Sequence, residues 1–259
     1  MIMNIKYTLG AIVSVPLLPI LYFQGQKIRR TIPDLPEATD VEGMSTTESD
    51  QSFQMLAIGE STIAGVGAST HESGFTGTLA KELTAQISAN VSWKVYAKSG
   101  YTAKCVHQKI IPEITEQTAD LIVIGLGGND SFKLSTPKRW NKDVRALIDT
   151  IRESYPKTPI VFTNMPPIKE FTAFTGTFKF VIGNLVILLG EELEKVVKDY
   201  DNVFYNAKEL KYEELINRMN LDASPEDFFS DGVHPSELAY QIWAKDVAEF
   251  IQEKDILAN

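Results

Sequence analysis

The chain has 259 residues, of which 44% are hydrophobic and 23% charged, and these proportions indicate a folded domain rather than a disordered chain. Its formal net charge is −9, and because an acidic body repels polyphosphate, we expect no nucleic acid partner. Cys105 is the only cysteine, which excludes an intrachain disulfide and a cysteine-clustered metal site. We therefore expect no metal, and a zinc hydrolase would need more histidines at ligand spacing.

The amino-terminal segment, residues 1–30, is unlike the rest of the chain. Residues 7–26 carry no charge and are mostly apolar, which approaches the length needed to cross a bilayer. We interpret this stretch as an uncleaved membrane anchor with a single span. No small-x-small cleavage site follows it, and Pro16 and Pro19 would interrupt a helix in a soluble core. A cleaved signal peptide and a helix buried in the domain are the two alternatives.

Basic residues on either side of the apolar stretch predict its orientation. Lys27, Arg29 and Arg30 follow it, and only Lys6 and the amino terminus precede it. By the positive-inside rule this arrangement predicts that the main domain lies in the cytoplasm.

Residues 31–51 differ from both of their neighbours in composition. They contain Pro33, Pro36 and six acidic residues, with no basic residue among them. This composition predicts an extended, solvated linker. The expected organisation is therefore an anchor over residues 1–30, a linker over residues 31–51 and a folded domain over residues 52–259.

From residue 52 onward, short apolar runs alternate with longer amphipathic runs. The alternation predicts βαβ crossovers, and hence an α/β fold with a parallel sheet covered by helices on both faces. The predicted strands are residues 53–59, 91–97, 121–125, 160–163 and 203–205, and the predicted helices are residues 75–88, 102–114, 138–154, 180–200, 208–219 and a last helix that starts at Pro235.

Polar residues follow the predicted strands at the edge where a parallel sheet of this kind binds its ligands. Gly59-Glu60-Ser61 follows the first strand, Gly100 lies just after the second, and Gly127-Gly128-Asn129-Asp130 lies after the third. Asp231-Gly232-Val233-His234 precedes the last helix. We expect these loops to converge at one edge of the sheet.

Ser61 and His234 are the candidate nucleophile and base. A serine hydroxyl becomes a useful nucleophile when a neighbouring base takes its proton. Asp231 lies three residues before His234, and its carboxylate can fix the tautomer of the imidazole. His71, in the loop after Ser61, is an alternative base, whereas His107 lies on the solvated face of a predicted helix. Each motif taken alone also fits a simpler interpretation as a turn or a helix start.

Acyl transfer also needs donors for the negative charge that forms on the carbonyl oxygen. Asn129 can offer its side-chain amide, and Gly100 and Ser61 can offer backbone N–H groups. These three residues are the candidate oxyanion hole.

The order Gly-x-Ser, Gly, Gly-x-Asn-Asp and Asp-x-x-His resembles the SGNH, or GDSL, family of hydrolases. The four namesake residues of that family correspond to Ser61, Gly100, Asn129 and His234, and the resemblance runs from about residue 53 to residue 251. It implies a flavodoxin-like α/β/α sandwich with a five-stranded parallel sheet. It also implies hydrolysis of esters or thioesters without a metal or other cofactor, with Ser61 as nucleophile, His234 as base and Asp231 orienting the base.

One residue departs from the family pattern. The first family motif is Gly-Asp-Ser, and this chain has Gly59-Glu60-Ser61. The extra methylene moves the carboxylate by more than an ångström, enough to disturb a short hydrogen bond. Because we expect Glu60, like Asp130, to support the loop rather than to react, we predict an active enzyme with an adjusted first loop. The alternative is a non-catalytic binding domain that kept the fold.

Aromatic residues after the fourth predicted strand indicate the substrate class. Phe171, Phe174 and Phe178 precede an apolar run and can form one wall of an acyl pocket above Ser61; a core helix with its preceding loop is the simpler interpretation. Together with a membrane anchor, such a wall favours a lipid-like or other apolar ester over an acetylated carbohydrate.

Overall fold

The computed structural model describes residues 5–257, and its central feature is a sheet of six strands. The strands are β1 (Glu42–Ser45), β2 (Ser52–Gly59), β3 (Asn90–Ala97), β4 (Leu121–Gly125), β5 (Ile160–Phe162) and β6 (Val203–Tyr205). Their order in space is β1-β3-β2-β4-β5-β6. Strands β2 to β6 run parallel and β1 runs antiparallel to β3. The five predicted parallel strands are confirmed, and an antiparallel edge strand makes the sheet mixed.

Helices cover both faces of this sheet. They are α1 (Ile5–Ser14), α2 (Leu18–Thr31), α3 (Phe75–Ile87), α4 (Ala103–Cys105), α5 (Gly128–Phe132), α6 (Pro137–Ser154), α7 (Gly176–Val197), α8 (Tyr212–Met219) and α9 (Glu237–Glu253). The short remaining turns are 3-10 helices at Val15–Leu17, Ile111–Glu113 and Pro225–Phe228 and a π-helix at Val106–Ile110.

Four helical predictions need correction, and in two of them the bounds differ: α7 is Gly176–Val197 rather than residues 180–200, and α8 begins at Tyr212 rather than at residue 208. The helix expected over residues 102–114 is instead α4, the π-helix and a 3-10 turn in succession. Pro112 lies in the last of these and has no N–H for a regular helix. The last helix begins at Glu237 rather than at Pro235, because the Ser236 hydroxyl accepts from the Ala239 N–H at 3.3 Å and caps the first turn.

The core lies in two layers on either side of the sheet. Side chains alternate along a strand, so Met55 and Ala57 of β2 contact one layer and Leu56 and Ile58 contact the other. Helices α3 and α9 pack together in the first layer, and α6 packs with α7 in the second. The result is the predicted α/β/α sandwich.

The segment over residues 31–51 is more closely joined to the body than the expected solvated linker. The Ala38 N–H donates to the Ala64 carbonyl at 3.0 Å, and Lys98 Nζ lies 2.9 Å from a Glu37 carboxylate oxygen. Strand β1 then pairs with β3, from Glu42 opposite Lys94 to Ser45 opposite Val91. Strand β3 would otherwise be an open edge, and β1 satisfies its backbone groups.

One helical run among the described residues, Ile5–Thr31, is long and apolar enough to cross a membrane. The run has 27 residues, its most apolar 18-residue window has a mean hydropathy of 1.5, and a signal sequence meets the same criterion. The run lies along the body. Lys6 Nζ is 2.6 Å from a Glu191 carboxylate oxygen, and the Thr175 hydroxyl donates to Gln24 Oε1 at 2.8 Å.

Candidate active site

The candidate site lies where β2 and β4 end side by side. The chain leaves these two strands toward opposite edges of the sheet, which opens a crevice at their carboxyl ends. Gly59 and Gly125 form the last pair of the β2–β4 ladder. A Cβ on Gly59 would lie 2.4 Å from the Gly125 carbonyl oxygen, so this close approach requires glycine. The loops that carry the candidate residues therefore start next to each other.

Ser61 begins a turn over residues 61–67 that directly follows β2. The Glu60 N–H donates to the Gly125 carbonyl at 3.1 Å, and the Val66 N–H donates back to the Ser61 carbonyl at 3.0 Å. Gly67 has a φ of +102°, which glycine adopts without strain. The turn is thus fixed at both ends and holds Ser61, which is half-buried, at the edge of the sheet.

Glu60 is buried and binds the third loop through three hydrogen bonds. Its carboxylate accepts from the Gly128 N–H at 2.7 Å, from the Asn129 N–H at 2.9 Å and from Asn129 Nδ2 at 2.7 Å. Burial raises the pKa of Glu60 to about 7, although the hydrogen bonds from Asn129 and Gly128 oppose that rise. The carboxylate therefore connects the residue before Ser61 to the loop that carries Asn129.

This contact also sets the direction of the Asn129 side chain. An amide nitrogen carries two hydrogens, and one of them is used by Glu60. The second remains for another acceptor, and Asn129 lines an open groove. The hydrogen bond to Glu60 therefore still leaves Asn129 one amide hydrogen for an acceptor in the site.

The Gly100 loop is held against the Asn129 loop by two contacts. The Asp130 carboxylate accepts from the Ala103 N–H at 2.8 Å, and the Lys133 ammonium donates to the Gly100 carbonyl at 3.1 Å. Burial raises the pKa of Asp130 to about 6. Gly100 has a φ of +80° and its missing side chain would meet no atom within 4 Å, so its backbone is accessible from outside.

Asp231 and His234 form a paired carboxylate and imidazole. Asp231 Oδ2 lies 2.7 Å from His234 Nδ1, and Oδ1 accepts the N–H groups of Val233 at 2.9 Å and of His234 at 2.7 Å. Burial acts to raise the pKa of Asp231, but its hydrogen bonds with His234 outweigh burial and lower it. An ionised carboxylate at Nδ1 favours the tautomer with the proton on Nδ1, which leaves Nε2 as an acceptor.

The His234 loop is bonded to the Ser61 turn. The Ser230 hydroxyl donates to the Gly67 carbonyl at 3.0 Å, and the Tyr240 hydroxyl donates to the Val66 carbonyl at 2.7 Å. A Cβ on Gly67 would lie 2.3 Å from the Pro235 carbonyl oxygen, so the two loops are in close contact. The turn that starts at Ser61 is therefore bonded to the Asn129 loop on one side and to the His234 loop on the other.

The other two histidines lie apart from this arrangement. His71 is buried beside Gly65 and packs edge-on against Trp93 with ring centroids 6.4 Å apart. Burial lowers its pKa to about 4. His107 Nε2 lies 3.0 Å from the Thr150 hydroxyl, between the π-helix and α6. Neither histidine lines the groove that contains His234.

An open groove brings Gly100, Asn129 and His234 together. It encloses about 2200 Å³ of space open to solvent, and phenylalanines form part of its wall. Of the three predicted pocket residues, Phe174 and Phe178 line it, with ring centroids 4.6 Å apart. Phe171 does not line this groove. It lies behind, where it packs on Phe174 and lines a neighbouring cavity with Glu60, Tyr212 and Trp243.

A second wall of the groove was not predicted from the sequence. Helix α2 supplies it through residues such as Leu18, Leu21 and Gly25, and Phe132 of α5 lies beside Phe174. The available signal was the recurrence of these α2 residues every three or four positions, which marks one face of a helix. In the part of the chain that the structure describes, no three His, Cys, Asp or Glu side chains are arranged to hold a metal ion.

Comparison with known proteins agrees with this architecture. Residues 57–242 match the family model described as the GDSL-like lipase/acylhydrolase family. No curated protein matches the chain.

Solved structures of esterases and lipases share the fold at low sequence identity. The lipase Lip_vut3 from a goat rumen metagenome is 18% identical, with a TM-score of 0.52 over 76% of this chain and 96% of that one. A family 3 carbohydrate esterase from Clostridium thermocellum is 15% identical, with a TM-score of 0.57 over 80% of this chain and 98% of the esterase. An acetylxylan esterase from Geobacillus stearothermophilus is 16% identical, with a TM-score of 0.57 over 80% of this chain and 96% of the esterase. At these identities the similarity establishes the fold alone.

Proposed function

The chain belongs to the GDSL-like lipase/acylhydrolase family and is a hydrolase, and from this premise we propose that it cleaves carboxylic esters through an acyl-enzyme on Ser61. The observation that carries the proposal is the 2.7 Å contact between Asp231 and His234 in a loop bonded to the Ser61 turn. The Asn129 loop is bonded to the other side of that turn through Glu60.

In the proposed reaction His234 Nε2 takes the proton from the Ser61 hydroxyl as its oxygen attacks the ester carbonyl. Asp231 keeps the imidazole in the correct tautomer and stabilises the imidazolium that forms. The imidazolium then gives its proton to the leaving alcohol. Water, activated in turn by His234, releases the acid and restores Ser61.

The negative charge of each tetrahedral intermediate falls on the former carbonyl oxygen. We assign its stabilisation to the backbone N–H groups of Ser61 and Gly100 and to the second amide hydrogen of Asn129. Glu60 and Asp130 support this arrangement without reacting. Glu60 positions Asn129, and Asp130 holds the Gly100 loop through the Ala103 N–H.

The proposed substrate is an ester with an apolar, lipid-like acyl group. Phe174 and Phe178 supply an aromatic wall in the same groove as His234, and such a surface favours an acyl chain. We further propose that the apolar residues 7–26 attach the enzyme to a membrane and that residues 52–259 face the cytoplasm. Alkaline phosphatase fused at the carboxyl terminus should be inactive, and an active, exported fusion would contradict that side.

Hydrolysis of para-nitrophenyl butyrate by the full chain in detergent tests the proposed function. The expected result is turnover that disappears in Ser61→Ala. Ser154→Ala is the matched control, because Ser154 is exposed at the end of α6, and it should keep wild-type activity. A folded wild-type protein without turnover would support the non-catalytic binding domain instead, and activity that survives Ser61→Ala would exclude Ser61 as nucleophile.

A further inference from the structure

Helix α2 presents one continuous face to the groove that holds His234 and Asn129. Residues at intervals of three or four lie on the same side of a helix. The α2 residues that line the groove follow this spacing: Leu18, Leu21, Tyr22, Gly25, Gln26, Ile28 and Arg29. An apolar helix near the amino terminus is therefore also a wall of the candidate active site.

The packing of α2 distinguishes its two sides. Leu21 is 7% exposed and belongs to the main core cluster, against which Ile28 also packs. On the other side, Ile20 and Phe23 are 47% and 71% exposed. Large apolar side chains on the outward face of a helix favour contact with a membrane over contact with water. The outer face of α2 therefore suits a membrane surface.

The apolar run that contains α2 is joined to the body by two polar contacts, one from the middle of α2 and one from α1. Gln24 accepts from Thr175 at the start of α7, and Lys6 pairs with Glu191 farther along α7. A helix that crosses the bilayer would have to leave these partners. The contacts therefore favour a helix that lies on the membrane surface over the single span that the sequence alone predicts.

Gly25 of α2 lies close to Phe178 of the aromatic wall. A Cβ placed on Gly25 would lie 3.9 Å from Phe178 Cε2, in ordinary van der Waals contact. A larger side chain at Gly25 would therefore fill the space between the two walls. Gly10 lies in α1 of the same apolar run, and a Cβ there would meet no atom within 4 Å.

We propose that α2 docks along the body as one wall of the acyl-binding groove, while its outer face contacts the membrane. The substrate that fits this arrangement is a long-chain acyl ester that enters the groove from the lipid layer. The apolar segment then serves the active site as well as membrane attachment. This inference rests on the proposed function, because it assigns a substrate class to the same groove.

The test compares para-nitrophenyl esters of palmitate and butyrate with the full chain in nanodiscs. In Gly25→Phe the added ring occupies the acyl path, so kcat/KM for palmitate should fall about tenfold or more while kcat/KM for butyrate changes less than about twofold. Gly10→Phe is the matched control and should leave both values unchanged. Leu21→Ala widens the same wall and should change the ratio of kcat/KM for palmitate to kcat/KM for butyrate.

Three results would overturn the inference. One is a chain-length profile of Gly25→Phe and Leu21→Ala that equals that of the wild type. Another is an equal loss on both esters in Gly25→Phe with an unchanged profile in Leu21→Ala. The third is an intact mass showing that the mature, active protein begins after α2. In each case Ser61-dependent hydrolysis of butyrate would still support the proposed function, whereas loss of that dependence would remove the function itself.

Discussion

The side-chain amide of Asn129 donates to the carboxylate of Glu60 at 2.7 Å, and this bond explains how a Gly-Glu-Ser motif fits the site. The same carboxylate also accepts the backbone N–H groups of Gly128 and Asn129. With three donors on one buried carboxylate, Glu60 fixes both the Asn129 backbone and the direction of its amide. The residue before Ser61 thus binds Asn129, which we propose as an oxyanion donor.

A double-mutant cycle on Glu60 and Asn129 tests that role. Asn129→Ala removes the proposed oxyanion donor, and kcat should fall about 10²- to 10³-fold with little change in KM. In Glu60→Gln an amide NH₂ group, itself a donor, replaces one carboxylate oxygen that accepts from the Gly128 and Asn129 loop. This mismatch of donors should lower kcat about tenfold. Because Glu60 acts through Asn129, Glu60→Gln should cost almost nothing further in the Asn129→Ala background. Additive losses would show that Glu60 acts independently of Asn129.

Glu60 should also make stability depend on pH. Burial raises its pKa from 4.5 to about 7 in the folded protein, so the folded state holds the proton more tightly than the unfolded state. Its contribution to the free energy of unfolding is therefore complete below about pH 4.5 and falls by about 3 kcal/mol as pH rises through about 7.

Urea unfolding of wild type and Glu60→Gln at about pH 5 and about pH 8 measures this effect. Glutamine does not titrate, so the stability difference between the two proteins should shift by a few kcal/mol in favour of Glu60→Gln at the higher pH. A difference that stays constant with pH would show that Glu60 is ionised at both values.

The Asp231–His234 pair gives a prediction about the base. In Asp231→Asn the amide no longer holds the Nδ1–H tautomer, and kcat should fall by about three to four orders of magnitude at unchanged KM. His107→Ala serves as the control histidine, since the His107 ring hydrogen-bonds Thr150 and lies outside the groove, and it should keep full activity. Full activity of Asp231→Asn would contradict the assignment, and loss of activity in His71→Ala with retention in His234→Ala would identify His71 as the base.

Gly128 should be required because Glu60 packs against it. A Cβ on Gly128 would lie 3.0 Å from Glu60 Oε1 and 3.3 Å from Pro166 Cγ, so Gly128→Ala must displace the carboxylate or the proline. We expect a loss of about 1–3 kcal/mol in the free energy of unfolding together with a lower kcat. Gly176→Ala is the control, because a Cβ at the start of α7 meets no atom within 4 Å, and its stability should match or slightly exceed the wild type. Equal stability of the two variants would contradict the packing argument.

The sequence alone predicted the features that depend on local pattern. Buried strands such as β4 appear as continuous apolar runs, and the motifs around Ser61, Asn129 and His234 lie at strand ends or a helix start. Topology then required these loops to share one edge of the sheet. The structure adds the loop contacts, and the catalytic roles of the three residues stay predictions until they are tested.

Features that depend on distant contacts were not predictable in the same way. Strand β1 has four residues, Glu42–Ser45, with no apolar alternation, and it forms because β3 offers an open edge. The bond from Asn129 to Glu60 joins residues 69 positions apart, and only the folded loops show that a longer carboxylate reaches its donors. The proposed role of α2 as a wall of the groove was not predictable, because the apolar face of a helix can pack against a membrane or line a groove.

Covalent labelling of the full-length protein with a fluorophosphonate, followed by mapping of the modified peptide, tests whether Ser61 is the nucleophile. We expect a single adduct on Ser61, absent in Ser61→Ala and formed far more slowly in His234→Ala, because the probe reacts only with an activated serine. A folded wild-type protein that takes up no probe, or takes it up at a residue other than Ser61, would show that Ser61 is not an activated nucleophile.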